Sequence, residues 1–257
     1  MKLRLLIKIL FSFWIVVLAI GCAKKTGSVS LLQTTDLYPL SVGKVFIYRM
    51  DSTVLNPART GFVVNTYLAK DSVESQFYDA TNRLTFRIYR YISDTANQHG
   101  WNYASTIFAT FDANHVEYNE NNLKFVTISL PIADGNSWYG NRFINTDTAD
   151  NNGNTPYKFL DKWLYVYQNS NTPFTVLKGT FDSTYTILQQ DELSPNAPIG
   201  SVPYQSKSYS VEIYAKNTGL IYKEFLHWTW QQSAFTDNPL SDDGLSYGIK
   251  LNLIEVR

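Results

Sequence analysis

The stretch LTFRIYRYISD, Leu84 to Asp94, decides the fold class. Leu84, Phe86, Ile88 and Ile92 alternate with Thr85, Arg87, Tyr89 and Tyr91, which is the period-two pattern of a strand with one buried face. Arg90 stands on the apolar side and is the exception. Downstream, Thr106 to Phe111, His115 to Tyr118 and Leu123 to Leu130 read as further short strands. Asp112-Ala113-Asn114 and Asn119 to Asn122 separate them as turns.

Upstream, Tyr38 to Gly43 is a turn-forming lead into a strand over Val45 to Met50, followed by Phe62 to Leu68. Asp71 followed by Glu74 could open a short helix, but Asp79 to Asn82 reads as a turn, and the turn is the preferred reading. Beyond Pro131 lies the glycine-punctuated loop Asp134 to Asn141, which carries Trp138 and Tyr139 and is expected to expose both. Strands then fit Lys158 to Gln168, Phe174 to Lys178 and Thr180 to Gln190. Ser206 to Ala215 and Leu220 to Trp230 flank Lys216-Asn217-Thr218-Gly219 as a hairpin, and Gly248 to Val256 is the last strand.

About eleven or twelve short strands predict an all-β, mainly antiparallel fold. So many strands cannot stay one flat sheet, so a curved sheet, an open half-barrel or a sandwich is expected. No linker inside 36–257 separates two cores, so that range is one domain, with Ser194 to Pro203 as the alternative point of division.

The N-terminus has a separate character. Lys2, Arg4 and Lys8 precede Ile9 to Ile20, apolar apart from Ser12, in the layout of an export signal helix. A permanent span needs about 20 apolar residues, more than this stretch supplies. Ala19-Ile20-Gly21-Cys22 resembles the lipobox of bacterial lipoproteins, with alanine where leucine is usual. The resemblance implies cleavage between Gly21 and Cys22 and a covalent lipid on Cys22, the sole cysteine of 257 residues. Residues 1–21 are then the signal peptide, 22–35 a lipidated tether and 36–257 the β domain. One acyl chain anchors weakly and two or three hold firmly.

Without residues 1–21 the chain keeps 19 Lys and Arg against 22 Asp and Glu, so no basic surface for nucleic acid is indicated. A lone cysteine forms no internal disulfide, so stability must come from packing. Eighteen Tyr, fifteen Phe and six Trp supply the apolar area.

The segments YPLSVGKVFIY (Tyr38 to Tyr48), DATNRLTFRIYRYISD (Asp79 to Asp94), GTFDSTYTILQQD (Gly179 to Asp191) and SVEIYAKNTGLIYKEFLHWTWQ (Ser210 to Gln231) resemble uncharacterised outer-membrane lipoproteins of the Bacteroidota. The resemblance implies curved antiparallel sheets or half-barrels and carries no catalytic residue. Surface-exported lipoproteins of these bacteria carry acidic residues after the lipidated cysteine. Here Lys24 and Lys25 follow, which favours a periplasm-facing location in the outer membrane over the cell surface.

Chemical motifs are scarce. His99, His115 and His227 form no metal-ligand spacing, and neither a G-x-S-x-G elbow nor a phosphate-binding glycine loop occurs. His227 reads as a solvated or hydrogen-bonded strand histidine on the face opposite Leu226, Trp228 and Trp230. Asp147, Asp150 and Asn152 crowd oxygen ligands around Gly153, a weak calcium alternative that departs from the EF-hand pattern. No cofactor beyond the lipid is expected. The aromatics Trp138, Tyr139, Trp228 and Trp230 are the candidate ligand contacts. The expectation is a non-catalytic envelope lipoprotein binding a partner protein or an apolar or glycan ligand on a curved sheet. The alternative is a hydrolase of envelope polymers whose site assembles only in the fold.

Overall fold

The structure, a computed structural model, describes residues 31–151, 153–198, 201–231 and 246–257. Its strands are β1 Val45–Leu55, β2 Phe62–Tyr78, β3 Leu84–Asp94, β4 Asn102–Phe111, β5 His115–Glu120 and β6 Leu123–Ser129. They continue as β7 Ser137–Tyr139, β8 Leu164–Val176, β9 Gly179–Ser194, β10 Tyr204–Ala215, β11 Gly219–Gln231 and β12 Tyr247–Val256. All twelve form one antiparallel sheet in the order β6-β5-β4-β3-β2-β1-β12-β11-β10-β9-β8-β7. Every strand pairs with its chain neighbours except at two points: β1 pairs with β12, and β6 and β7 are the two edges. Leu32–Arg257 is a single unit.

The edges come together. Val126 N–H on β6 donates to the Gly140 carbonyl just past β7 (2.8 Å), and the Trp138 indole donates to the Val126 carbonyl (2.7 Å). The expected all-β, curved antiparallel sheet of eleven or twelve strands is thus present as a nearly closed barrel, in which both edge strands find hydrogen-bond partners instead of solvent. Gly140 is required at this seam: a Cβ there would lie 2.3 Å from the ring of buried Tyr165.

Alternation places Phe46, Tyr48 and Met50 of β1, Ala69, Asp71 and Val73 of β2, and Phe86, Ile88 and Arg90 of β3 on the inner face. β2 runs on through Asp71 and Glu74 as strand rather than helix, because Ala69, Asp71 and Val73 continue its inward alternation. Its turn at Asp79–Asn82 forms as expected: Asp79 Oδ1 accepts the N–H groups of Thr81 and Arg83, and Asn82 takes φ 61°.

Two more expectations change. Lys158–Leu160 is a single 3-10 turn ahead of β8, and Phe174 to Val176 is the end of β8 rather than a separate strand, with Leu177 and Lys178 in the turn to β9. The β8–β9 hairpin bends at Asn169 and Asn171, both at positive φ, and crosses the outside of the barrel. There Leu177 N–H donates to Asn252 Oδ1 (2.7 Å), Lys178 N–H donates to the Leu253 carbonyl (2.9 Å), and Phe174 meets Tyr222. Outward-facing Val211 and Ile213 are buried on that side.

One end of the barrel is plugged by its own N-terminal segment. Helix α1, Thr34–Leu37, lies partly in the stretch expected to be tether; Leu37 is buried, and the Tyr38 ring packs against those of Phe111 and Tyr214. The Asp36 carbonyl accepts from Asn217 N–H at the β10–β11 turn (2.7 Å). Among the described residues no helix is long and apolar enough to cross a membrane.

Candidate functional site

Above the plugged end the barrel is hollow. Side chains just fill a barrel of about eight strands, and more strands leave interior space. Here that space is a chamber of about 590 Å³, inside the range of roughly 300 to 1,000 Å³ typical of small-molecule sites. Its walls are mostly apolar and aromatic: Met50, Ile92, Phe225 and Leu251 contribute from four strands, and Leu160 and Trp163 from the segment ahead of β8.

The charged side chains that line it form one layer. Arg90 lies directly opposite Asp71 on β2 and holds it through Nε (2.7 Å) and Nη2 (2.6 Å), while Nη1 reaches Glu120 at 3.3 Å. Glu120 also accepts from Ser105 (2.6 Å) and Tyr118 (2.9 Å). Across the barrel, Lys223 Nζ donates to Glu212 (2.9 Å), whose second oxygen accepts from the Tyr214 hydroxyl (2.8 Å). Gln189 accepts from Ser210 through Oε1 (2.6 Å).

Burial alone would push the Glu120 carboxyl up, but the Arg90 charge and the Ser105 hydroxyl outweigh it and hold it below the usual range. Burial likewise opposes the Arg90 charge, yet Asp71 and Glu120 overcome it and the guanidinium titrates well above its ordinary value. Tyr118 and Tyr214 are pushed up, first by burial and then by the adjacent glutamates, so both stay neutral donors.

A folded-in segment walls the upper part of the chamber. Asn141 Nδ2 donates to the Leu160 carbonyl (2.8 Å), the Tyr165 hydroxyl donates to Asn141 Oδ1 (2.8 Å), and the Trp163 indole donates to the Phe159 carbonyl (2.7 Å). Phe159 stacks on His227 with ring centroids 4.0 Å apart. His227 Nδ1 is 2.9 Å from Ser208 Oγ. His227 is therefore hydrogen-bonded, as expected, but 2% exposed rather than solvated. This serine–histidine pair does not line the chamber: Phe159 covers the imidazole, and Ser208 is buried beside it.

The residues singled out in the sequence lie elsewhere. Trp138 is 7% exposed, not a loop-edge platform, because its indole closes the barrel seam against Tyr165 and Tyr167. Tyr139, its neighbour on the opposite face, is 56% exposed. Trp228 and Trp230 point away from the chamber and are 8% exposed each. Asp147 pairs with Lys158 (2.6 Å), Asp150 accepts from Asn154 N–H (2.9 Å), and Asn152 lies outside the described residues. Among the described residues no group of three or more His, Cys, Asp or Glu side chains is placed to hold a metal ion. Gly21 and Cys22 also fall outside the described residues.

The charged layer was missed, although the Arg90 break in the apolar alternation was its visible signal. Glu212 and Lys223 left no such mark, because the face of β10 that carries Glu212 is otherwise serine and tyrosine and offers no apolar alternation to break, and Lys223 and Glu224 are adjacent polar residues on β11.

No family model matches the chain, and no curated protein matches it. Similar solved structures include the crystal structure of a "putative lipoprotein" from Parabacteroides distasonis. It is 12% identical, with a TM-score of 0.40, and the match covers 88% of this chain and 100% of that one. A likeness of that size assigns neither family nor function.

Proposed function

We propose that this chain is a lipid-anchored envelope protein that holds a small apolar or amphipathic ligand inside its barrel, without acting on it chemically. The observation that carries the reading is the chamber: about 590 Å³ of space walled by apolar and aromatic side chains, with polar groups converging in one layer. A protein with no use for an interior would gain stability by filling it, since unfilled apolar space forfeits packing. Attachment follows from the Ala19 to Cys22 pattern, and Lys24 and Lys25 favour the periplasmic side of the outer membrane.

The hydrolase alternative has one geometric candidate in Ser208 and His227, 2.9 Å apart. It is the lesser reading because both groups face packed side chains. Loss of ester hydrolysis in a Ser208→Ala variant of an otherwise active preparation would promote it.

Titration with the neutral fluorescent dye N-phenyl-1-naphthylamine tests ligand binding. Wild-type protein is expected to bind one dye per chain. Ser52→Trp, which fills the chamber from its lining, is expected to abolish binding while the thermal transition stays in place. Equal binding by both proteins would overturn the reading.

A further inference from the structure

Two side chains of the chamber, Lys223 and Gln189, keep N–H groups beyond the bonds they make to Glu212 and Ser210. On the acceptor side, both Asp71 oxygens are taken by Arg90. Both Glu120 oxygens are taken by Ser105, Tyr118 and Arg90, and those of Glu212 by Lys223 and Tyr214. On the donor side, Lys223 spends one of three N–H bonds on Glu212, and its side chain is 27% exposed. Gln189 spends its carbonyl oxygen on Ser210, which leaves its amide N–H groups for the chamber. Carboxylate lone pairs and the hydroxyls of Ser52 and Thr127 also remain, so the case for an accepting ligand rests on where these N–H groups lie.

Charge narrows the choice further. The layer holds two cations, Arg90 and Lys223, against three carboxylates, Asp71, Glu120 and Glu212. An anionic head would add a second uncompensated negative charge to a desolvated site. A cationic head would offset the net negative charge but brings no acceptor for the N–H groups of Lys223 and Gln189. An uncharged acceptor uses the free N–H groups without either cost.

Resting on the reading of the barrel as a ligand chamber, we infer that its ligand is an uncharged amphiphile. Its apolar body lies against Met50, Ile92, Trp163 and Leu251, and its hydroxyl, ester or amide head accepts hydrogen bonds from Lys223 Nζ and Gln189 Nε2. The geometry makes Lys223 and Gln189 the specificity determinants, and Arg90 a group that holds the layer together.

Displacement of bound N-phenyl-1-naphthylamine by glycerol monolaurate, laurate and dodecylamine compares one apolar tail with three heads. Glycerol monolaurate is expected to displace the dye about tenfold more tightly than the other two, the size of a hydrogen bond to a charged donor. Lys223→Met should erase that advantage and Lys223→Arg should keep it. Gln189→Met serves as the second variant should Lys223→Met fail to fold. Tighter binding of laurate or dodecylamine, or an unchanged preference in both Lys223→Met and Gln189→Met, would overturn the inference while leaving the chamber reading intact. Failure of the dye itself to bind wild-type protein would defeat both.

Discussion

Arg90 and Asp71 face each other across the β2–β3 ladder on the inner wall of the barrel and are joined by two hydrogen bonds of 2.7 and 2.6 Å. Their side chains are 13% and 11% exposed. Removing one member of such a pair strands the other's charge in a low-dielectric interior. Arg90→Met is therefore expected to cost about 3 to 5 kcal/mol in urea unfolding, and Arg90→Met with Asp71→Asn less than the sum of the two single changes. Additive costs would show that the two residues do not act as a pair.

The seam gives a second expectation. Gly140 accepts from Val126 N–H, and the space where a Cβ would go is filled by the ring of Tyr165. Gly140→Ala should lower stability by about 1 to 3 kcal/mol, as overpacking does, and should speed amide exchange at Val126 relative to the β1–β12 ladder. Wild-type exchange at Val126 would mean that the ring yields and the seam holds.

Acid should destabilise the fold. Asp94 is held down to about 2, first by the backbone N–H groups of Gln98 and His99, and Glu120 also lies below its ordinary range. A carboxyl with a depressed folded-state value contributes stability that is complete above its unfolded value, about 4 to 4.5, and is lost as pH falls through the folded one. The urea midpoint is therefore expected to fall between about pH 5 and pH 2, and Asp94→Asn should flatten part of the slope. A midpoint unchanged down to pH 3 would contradict these assignments.

Much of the wall was legible in the sequence because strand alternation is a local property: β3, β5, β6 and the β10–β11 hairpin lie close to where Leu84 to Asp94 and its neighbours placed them. Closure was not. It depends on the β6–Gly140 contact, and the short strand Ser137–Tyr139 offered only loop signals. The chamber was even less visible. Its charged layer combines Arg90, Glu120, Glu212 and Lys223 from four strands, and only closure of the sheet brings them together. Trp138 shows the converse, a residue whose glycine-rich surroundings suggested exposure but whose indole completes the seam.

Attachment can be checked independently of the barrel. Cys22→Ser is expected to move the protein from the membrane fraction to the soluble fraction, since two or three acyl chains hold firmly and their removal leaves no anchor. Membrane association that persists in the variant would mean that the apolar segment Ile9 to Ile20 is retained.

Locating the ligand tests the central claim most directly. Methyl-resolved NMR during titration with N-phenyl-1-naphthylamine separates the chamber residues Ile92, Leu160 and Leu251 from the exposed Val63, Val64 and Leu177. A ligand inside the barrel predicts shifts in the first group, saturating at one dye per chain, with the second group unmoved. Shifts confined to Val63, Val64 and Leu177, with the interior methyls unchanged, would contradict it.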